Sequence, residues 1–277
     1  MNAQEYLEKI RKDGGIKDAD LTGLDFSGCE IADVFFENVS LRSCIFAGAT
    51  LSRVTLHRCL LTGTDFTGAN LSRMIASASD MTTAIFHQTD LTKAYFAEAK
   101  MAGQKFLKCN LKMTILDKAD LRSADFSHGD ITQASFGGAD LTGAIFREVQ
   151  GKYANFAGAK ADLADFHKAN LFMANFTEAK LKGTNFTDAS LAQSLFIKAD
   201  CTRAKFVRSR LPYANFSHAI VKEADFSQAE LTYADMHAVL MYEADWDGVD
   251  TSTIFMTDKD LLEAEQWEVG AKLKETT

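Results

Sequence analysis

The residues of this 277-residue chain whose types could do chemistry are two serine–histidine pairs, six histidines, five cysteines and many carboxylates. Ser127-His128 and Ser217-His218 each set a hydroxyl beside a base, the combination that acyl transfer uses. A nucleophilic serine of that kind needs a sharp turn to raise it, and no Gly-X-Ser-X-Gly sequence is present. Histidine and cysteine could ligate a metal. Yet neither Cys-X-X-Cys nor His-Glu-X-X-His occurs, and the six histidines are spaced too widely to converge on one ion. Asn175-Phe-Thr177, Asn185-Phe-Thr187 and Asn215-Phe-Ser217 match the glycosylation acceptor. These residues share one property: they fall at fixed phases of a five-residue period.

That period is carried by phenylalanine. Of 21 Phe, 18 stand at numbers ending in 6, and Leu or Ile alternates with them at numbers ending in 1. From Leu21 to Trp246 this makes 46 units with no insertion. Five residues advance a helix by roughly 500°, so the large side chains would spiral around it. On a flat strand they would fall on alternate faces. A second feature resolves the conflict: two positions before the large residue stands Ala in 26 of the 46 units, and mostly a small residue elsewhere. Both can point inward from one short extended segment, leaving three residues to turn the chain. Asp or Asn before the large residue (Asp20, Asp25, Asp65, Asn70) favours such turns by bonding nearby backbone.

Ala-Asp-Leu-Thr-Gly at 19–23 and 139–143 and Ala-Asn-Leu-Ser-Arg at 69–73 resemble the motif of the pentapeptide-repeat family. The resemblance implies an all-β fold, a right-handed quadrilateral β-helix with 20 residues per coil. Phe would then line two opposite walls and Leu the other two. Stacking at the inter-strand spacing would give a rod of roughly 11–12 coils and about 55 Å. The expected organisation is an N-terminal helical cap over 1–18, one solenoid domain over 19–250 and a C-terminal helical cap over 251–277. Inward side chains are expected at numbers ending in 1, 4, 6 and 9. Asn2 with Glu5 starts the first cap helix, which bears Tyr6, Leu7 and Ile10 and ends at Gly14-Gly15. Thr257 and Asp258 start the second, which bears Leu261, Leu262, Ala264 and Trp267 and stops near Gly270. With both ends covered the expected state is a monomer, a dimer through the C-terminal cap being the alternative. A weak point is expected where Gly151, Ala161 and Cys201 replace large residues on one wall, with Tyr153 or Leu163 folding inward to fill the space.

In this frame all six histidines face outward, the glycosylation sites are the repeat read out of phase, and the corner aspartates cap backbone. Cys29, Cys44, Cys59 and Cys109 occupy small inward positions and Cys201 a large one, reading as core thiols of a reducing compartment. No apolar stretch resembles a signal peptide or spans a membrane, so the expected location is cytoplasmic. A solid core between flat walls leaves no pocket, so no enzyme, cofactor or metal is expected.

The surface departs from monotony in two columns of residues 20 apart. One runs Asp33, Arg53, Arg73, Lys93, Met113, Gln133, Tyr153, Met173, Gln193, Tyr213, Tyr233, with Phe172 alongside. The other places Phe35, Ile75, Tyr95 and Ile115 where the motif prefers Asp or Asn. Exposed aromatics and Met are enriched at protein interfaces, although tyrosine ladders and β-branched residues also simply stiffen a sheet. Charge is banded: residues 18–37 hold six acids and no Lys or Arg, 93–122 hold seven bases and three acids, and 222–250 hold one base and eight acids.

Two functions follow. The first is a non-enzymatic scaffold or adaptor docking a protein partner, without membrane or direct nucleic-acid binding. The stretch Glu5-Tyr-Leu-Glu-Lys-Ile-Arg-Lys-Asp-Gly-Gly is similar to repeat proteins that accompany bacterial type VI secretion spikes. The alternative is a DNA mimic binding a type II topoisomerase (DNA gyrase), which the resemblance to quinolone-resistance family members implies. The net charge of −8 suits it, while the basic middle band and the cluster Lys198, Arg203, Lys205, Arg208 and Arg210 do not.

Overall fold

A computed structural model describes residues 1–266. The chain opens with helix α1 (Ala3–Asp13). The Asn2 side chain accepts the Glu5 N–H while the Glu5 carboxylate takes the Asn2 N–H, and Gly14 ends the helix in the left-handed conformation. Leu7 and Ile10 are buried against the first coil, so α1 seals that end. Three strands follow, β1 (Gly15–Lys17), β2 (Phe35–Glu37) and β3 (Thr55–His57), paired parallel at a 20-residue offset. The same offset continues as single bridges from Asp20↔Ser40 to Asp235↔Phe255. The fold is the four-sided β-helix, most sides being too short for more than one pairing.

The period explains why. Residues ending in 1, 4, 6 and 9 are buried through the body of the rod. Residues ending in 3 or 8 take positive φ, among them 36 that are not glycine, which marks the turn at each corner. A left-handed conformation costs a non-glycine residue roughly 1–2 kcal/mol. The core offsets this. Phe126 stacks on Phe146 at 4.7 Å and 5°, and meets Phe136 of the opposite wall edge-on at 5.5 Å and 85°. Phe therefore lines two opposite walls, as expected, and the two stacks touch across the centre from Phe126 onward. Such pairs are worth about 0.5–1.5 kcal/mol beyond their buried area. Inward hydroxyls bond the carbonyls of the preceding coil, as Thr64 to Leu41 and Thr114 to Leu91, so polar atoms reach the core without being orphaned.

Three expectations need correction. Gly151 and Ala161 are ten residues apart and so lie on opposite walls, not one. The space at Gly151 is already filled: a Cβ there would lie 2.9 Å from Leu171 Cδ2 and 3.1 Å from Ile131 Cδ1. Tyr153 and Leu163 do not fold inward; they are 48 % and 70 % exposed.

The far end differs from the near one. Helix α2 (Lys259–Glu265) starts at Asp258 as expected, whose carboxylate accepts the Asp260 and Leu261 N–H groups. It buries no side chain. It lies along the flank of the rod, where the Ala238 N–H donates to Thr257 and Glu265 reaches His218 and His237. Met241, Ala244, Trp246 and Val249 of the last coil are only half-buried, so among the described residues nothing seals this end. The inference of a monomer from two covered ends thus keeps only its N-terminal half. Trp267 and Gly270 lie outside the described residues. No helix among the described residues is long and apolar enough to cross a membrane.

Candidate interaction surface

The corner aspartates do what their spacing suggests. Asp20, Asp25, Asp65 and Asp125 each accept the N–H two residues on, at 2.8–3.0 Å. Asp25 has its carboxyl lowered mainly by the hydroxyl of Ser27. Ser127 Oγ donates to Asp125 at 2.5 Å, and Ser217 Oγ lies 2.7 Å from Asn215 Oδ1 and 2.9 Å from Asp235 Oδ2. In both serine–histidine pairs the hydroxyl is engaged by its own corner and not by the imidazole. The five thiols are free and buried. Burial pushes Cys29, Cys44 and Cys109 up to about 11, and Cys201 higher still. The folded chain holds them as unreactive thiols.

Charges are largely answered one coil away. Arg53 pairs with Asp33, Arg208 with Asp188 at 2.8 Å, Arg203 with Glu223 at 2.5 Å and Arg210 with Glu230 at 3.0 Å. The basic cluster at 198–210 is thus mostly spent on neighbouring acids, which flattens the banding read from the sequence. Exposed pairs of this kind add little stability.

The two columns meet along one edge of the rod, since Tyr153 stands at a turn and Asn155 on the adjoining side. In the N-terminal half the edge is a bridged row, Phe35↔Thr55, Thr55↔Ile75, Ile75↔Tyr95 and Tyr95↔Ile115. Phe35, Ile75 and Tyr95 are exposed and Ile115 half-buried. Part of this row has an internal use: the Phe35 ring lies over Gly15, and Lys17 Nζ sits 5.3 Å from its centroid.

In the C-terminal half the apolar residues shift to the turn. Tyr153, Met173, Tyr213 and Tyr233 all have φ between 55° and 61°. Glycine or asparagine would occupy those positions at lower cost. Tyr213 is 58 % exposed. Tyr153 meets half-buried Phe172 edge-on at 5.9 Å, and Tyr213 lies 5.3 Å from Tyr233. Phe255, which the repeat register did not single out, continues the run by stacking on Tyr233 at 6.0 Å. Its signal was its position 20 residues after Asp235, beyond the assigned end of the repeats. Met173 and Gln193 interrupt the aromatics between Tyr153 and Tyr213, so a continuous stiffening ladder does not account for the column.

The sequence reading also missed a cluster. His237 is buried, not outward, and it converges with His218 and Glu265, the three ligand atoms lying within 4.8 Å of one another. Coil stacking turns a 19-residue interval into a contact.

No curated protein matches this chain in sequence. Among solved structures it is similar to HetL, a pentapeptide repeat protein involved in heterocyst differentiation regulation from Nostoc sp. strain PCC 7120 (23 % identity, 90 % of this chain, 96 % of that one, TM-score 0.24). It is also similar to QnrB1, a plasmid-mediated fluoroquinolone resistance protein (16 %, 91 %, 100 %, TM-score 0.21). A third is a pentapeptide repeat protein of the Arabidopsis thaliana thylakoid lumen (33 %, 38 %, 63 %, TM-score 0.19). Superpositions at these scores carry no weight for function. The model of the pentapeptide repeat region matches residues 79–156, and that of pentapeptide repeats in eight copies matches 19–58, 59–96, 152–188, 174–211 and 213–245. Together these segments take in most of the chain, which belongs to the pentapeptide-repeat family.

Proposed function

We propose that this protein is a non-enzymatic interaction rod that docks a protein partner along its aromatic edge. The observation that carries the reading is the placement of Tyr153, Met173, Tyr213 and Tyr233 in left-handed turns and in solvent. At a corner that tolerates glycine, a large aromatic costs conformational energy and returns no core packing. Its apolar face with a hydroxyl tip suits a desolvated contact with another protein. Phe35, Ile75, Tyr95 and Ile115 extend the same edge toward the N-terminus. The tethering of corner acids to backbone and of others to arginines one coil away favours this reading over a DNA mimic, which needs free acid along its length. An adaptor role beside a type VI secretion spike is a narrower form of the proposal, carried only by residues 5–15.

Replacing Tyr153, Phe172 and Tyr213 together with Ser tests it. Partner capture from the native host is expected to weaken more than about tenfold, ~1.4 kcal/mol, with the melting temperature kept. Unchanged capture with a lowered melting temperature would assign these residues to stability instead.

A further inference from the structure

Away from the aromatic edge, side chains able to ligate a metal converge on one point. His218 and His237 stand on neighbouring coils with their rings 5.5 Å apart at 76°. Glu265 comes from the last turn of α2, and its Oε2 lies 3.2 Å from His218 Nε2 and 3.3 Å from His237 Nε2. A tetrahedral ion with bonds of about 2.0–2.1 Å holds its ligand atoms about 3.3–3.4 Å apart. The two carboxylate–imidazole spacings fit that edge. We propose that His218, His237 and Glu265 form a site for a divalent transition metal of the zinc class, which fastens α2 to the flank of the rod and leaves a fourth position to water.

The donor set decides the class of ion. Two imidazoles and one carboxylate suit zinc, cobalt or nickel, whereas calcium and magnesium take oxygen ligands. The attachment of α2 supplies the need. A helix of seven residues is marginal alone, and this one fully buries no side chain, with Leu262 only half-buried, so little apolar packing holds it. The coils fix His218 and His237 in advance, and His237 is 5 % exposed. Without metal, the Asp258 N–H donates to His237 Nδ1 at 3.2 Å, which leaves the ring proton on Nε2, facing Glu265. With the ring neutral, as a metal ligand must be, capture at Nε2 moves that proton to Nδ1. The hydrogen bond from the Asp258 N–H is then given up, exchanged for coordination by both rings and the carboxylate.

The test uses untagged, chelator-stripped full-length protein, titrated with Co²⁺ and with Zn²⁺. One equivalent of Co²⁺ should give the visible absorption of a four-coordinate site, and one equivalent of Zn²⁺ should raise the melting temperature. His218→Ala and Glu265→Gln alter exposed or half-exposed groups and should leave the metal-free melting temperature near that of the parent. Both should weaken Co²⁺ binding more than about tenfold. A featureless Co²⁺ titration, or a Zn²⁺ effect that survives Glu265→Gln, would leave the cluster as a hydrogen-bonded clasp and overturn the proposal.

Discussion

Gly151→Leu gives the sharpest test of the packing. The repeat places a large residue at this position, so a sequence argument would have the substitution fill a void and stabilise. The structure reverses the sign. The first carbon of a new side chain would lie 2.9 Å from Leu171 and 3.1 Å from Ile131, where carbon atoms prefer about 3.5–4.0 Å. The remaining carbons of leucine would have to pass those same tips. Reduced chain entropy on removing a glycine returns only about 0.4–1 kcal/mol, and overpacking of a well-filled core costs typically 1–3 kcal/mol. For a chain of this size, at about 2–4 °C per kcal/mol, the net cost of roughly 0–2.6 kcal/mol is a fall in melting temperature of up to about 10 °C. Gly151→Ala should lie within about 1 kcal/mol of the parent, because flexible side-chain tips can yield to one methyl. Thermal unfolding followed by circular dichroism measures both. A higher melting temperature for Gly151→Leu would refute the reasoning, by showing that Ile131 and Leu171 leave room after all.

Gly15→Ala should loosen the N-terminal cap, since its Cβ would fall 2.2 Å from the Phe35 carbonyl oxygen; hydrogen exchange in α1 should accelerate, and unchanged protection would count against the contact. Asn2→Ala should destabilise α1 by about 1 kcal/mol, read from the exchange of the first helical amides. Burial raises Cys44 and Cys109 from 9.0 to about 11, so the folded chain keeps protons that the unfolded chain releases in that interval. Their contribution is complete below about pH 9 and lost as pH rises through about 11; replacing both with Ala should flatten the alkaline fall in melting temperature, and an unchanged slope would assign that fall to other groups. The native thiols should resist a disulfide reagent near neutral pH until the chain unfolds.

The sequence carried the fold because every coil repeats one instruction. Phe126, Phe166 and Phe206 announce the inward register, and the Asp-X-Ser/Thr corners announce the turns. Compensation between neighbours was harder to read. Gly151 looks like a missing side chain until Ile131 and Leu171, 20 residues to either side, are seen to fill the place. His218 and His237 look remote until the coils are stacked. The far end was hard to read for a related reason. The helical pattern of Leu261 and Leu262 marks an element, but the pattern does not say which surface that element meets.

The 20-residue offset also sets how this protein folds. Every bridge between coils joins residues one coil apart, so the mean separation of paired residues is about 0.07 of the chain length, a value that belongs to helical bundles more than to β-sandwiches. An all-β molecule is thereby freed from the slow search for distant strands. Each coil, once formed, offers an open edge on which the next 20 residues close a short loop, and growth proceeds by addition to an end. Helix α1 precedes the coils in the chain and covers one edge with Leu7 and Ile10, so a growing chain has a single edge to extend, and the order of synthesis becomes the order of assembly.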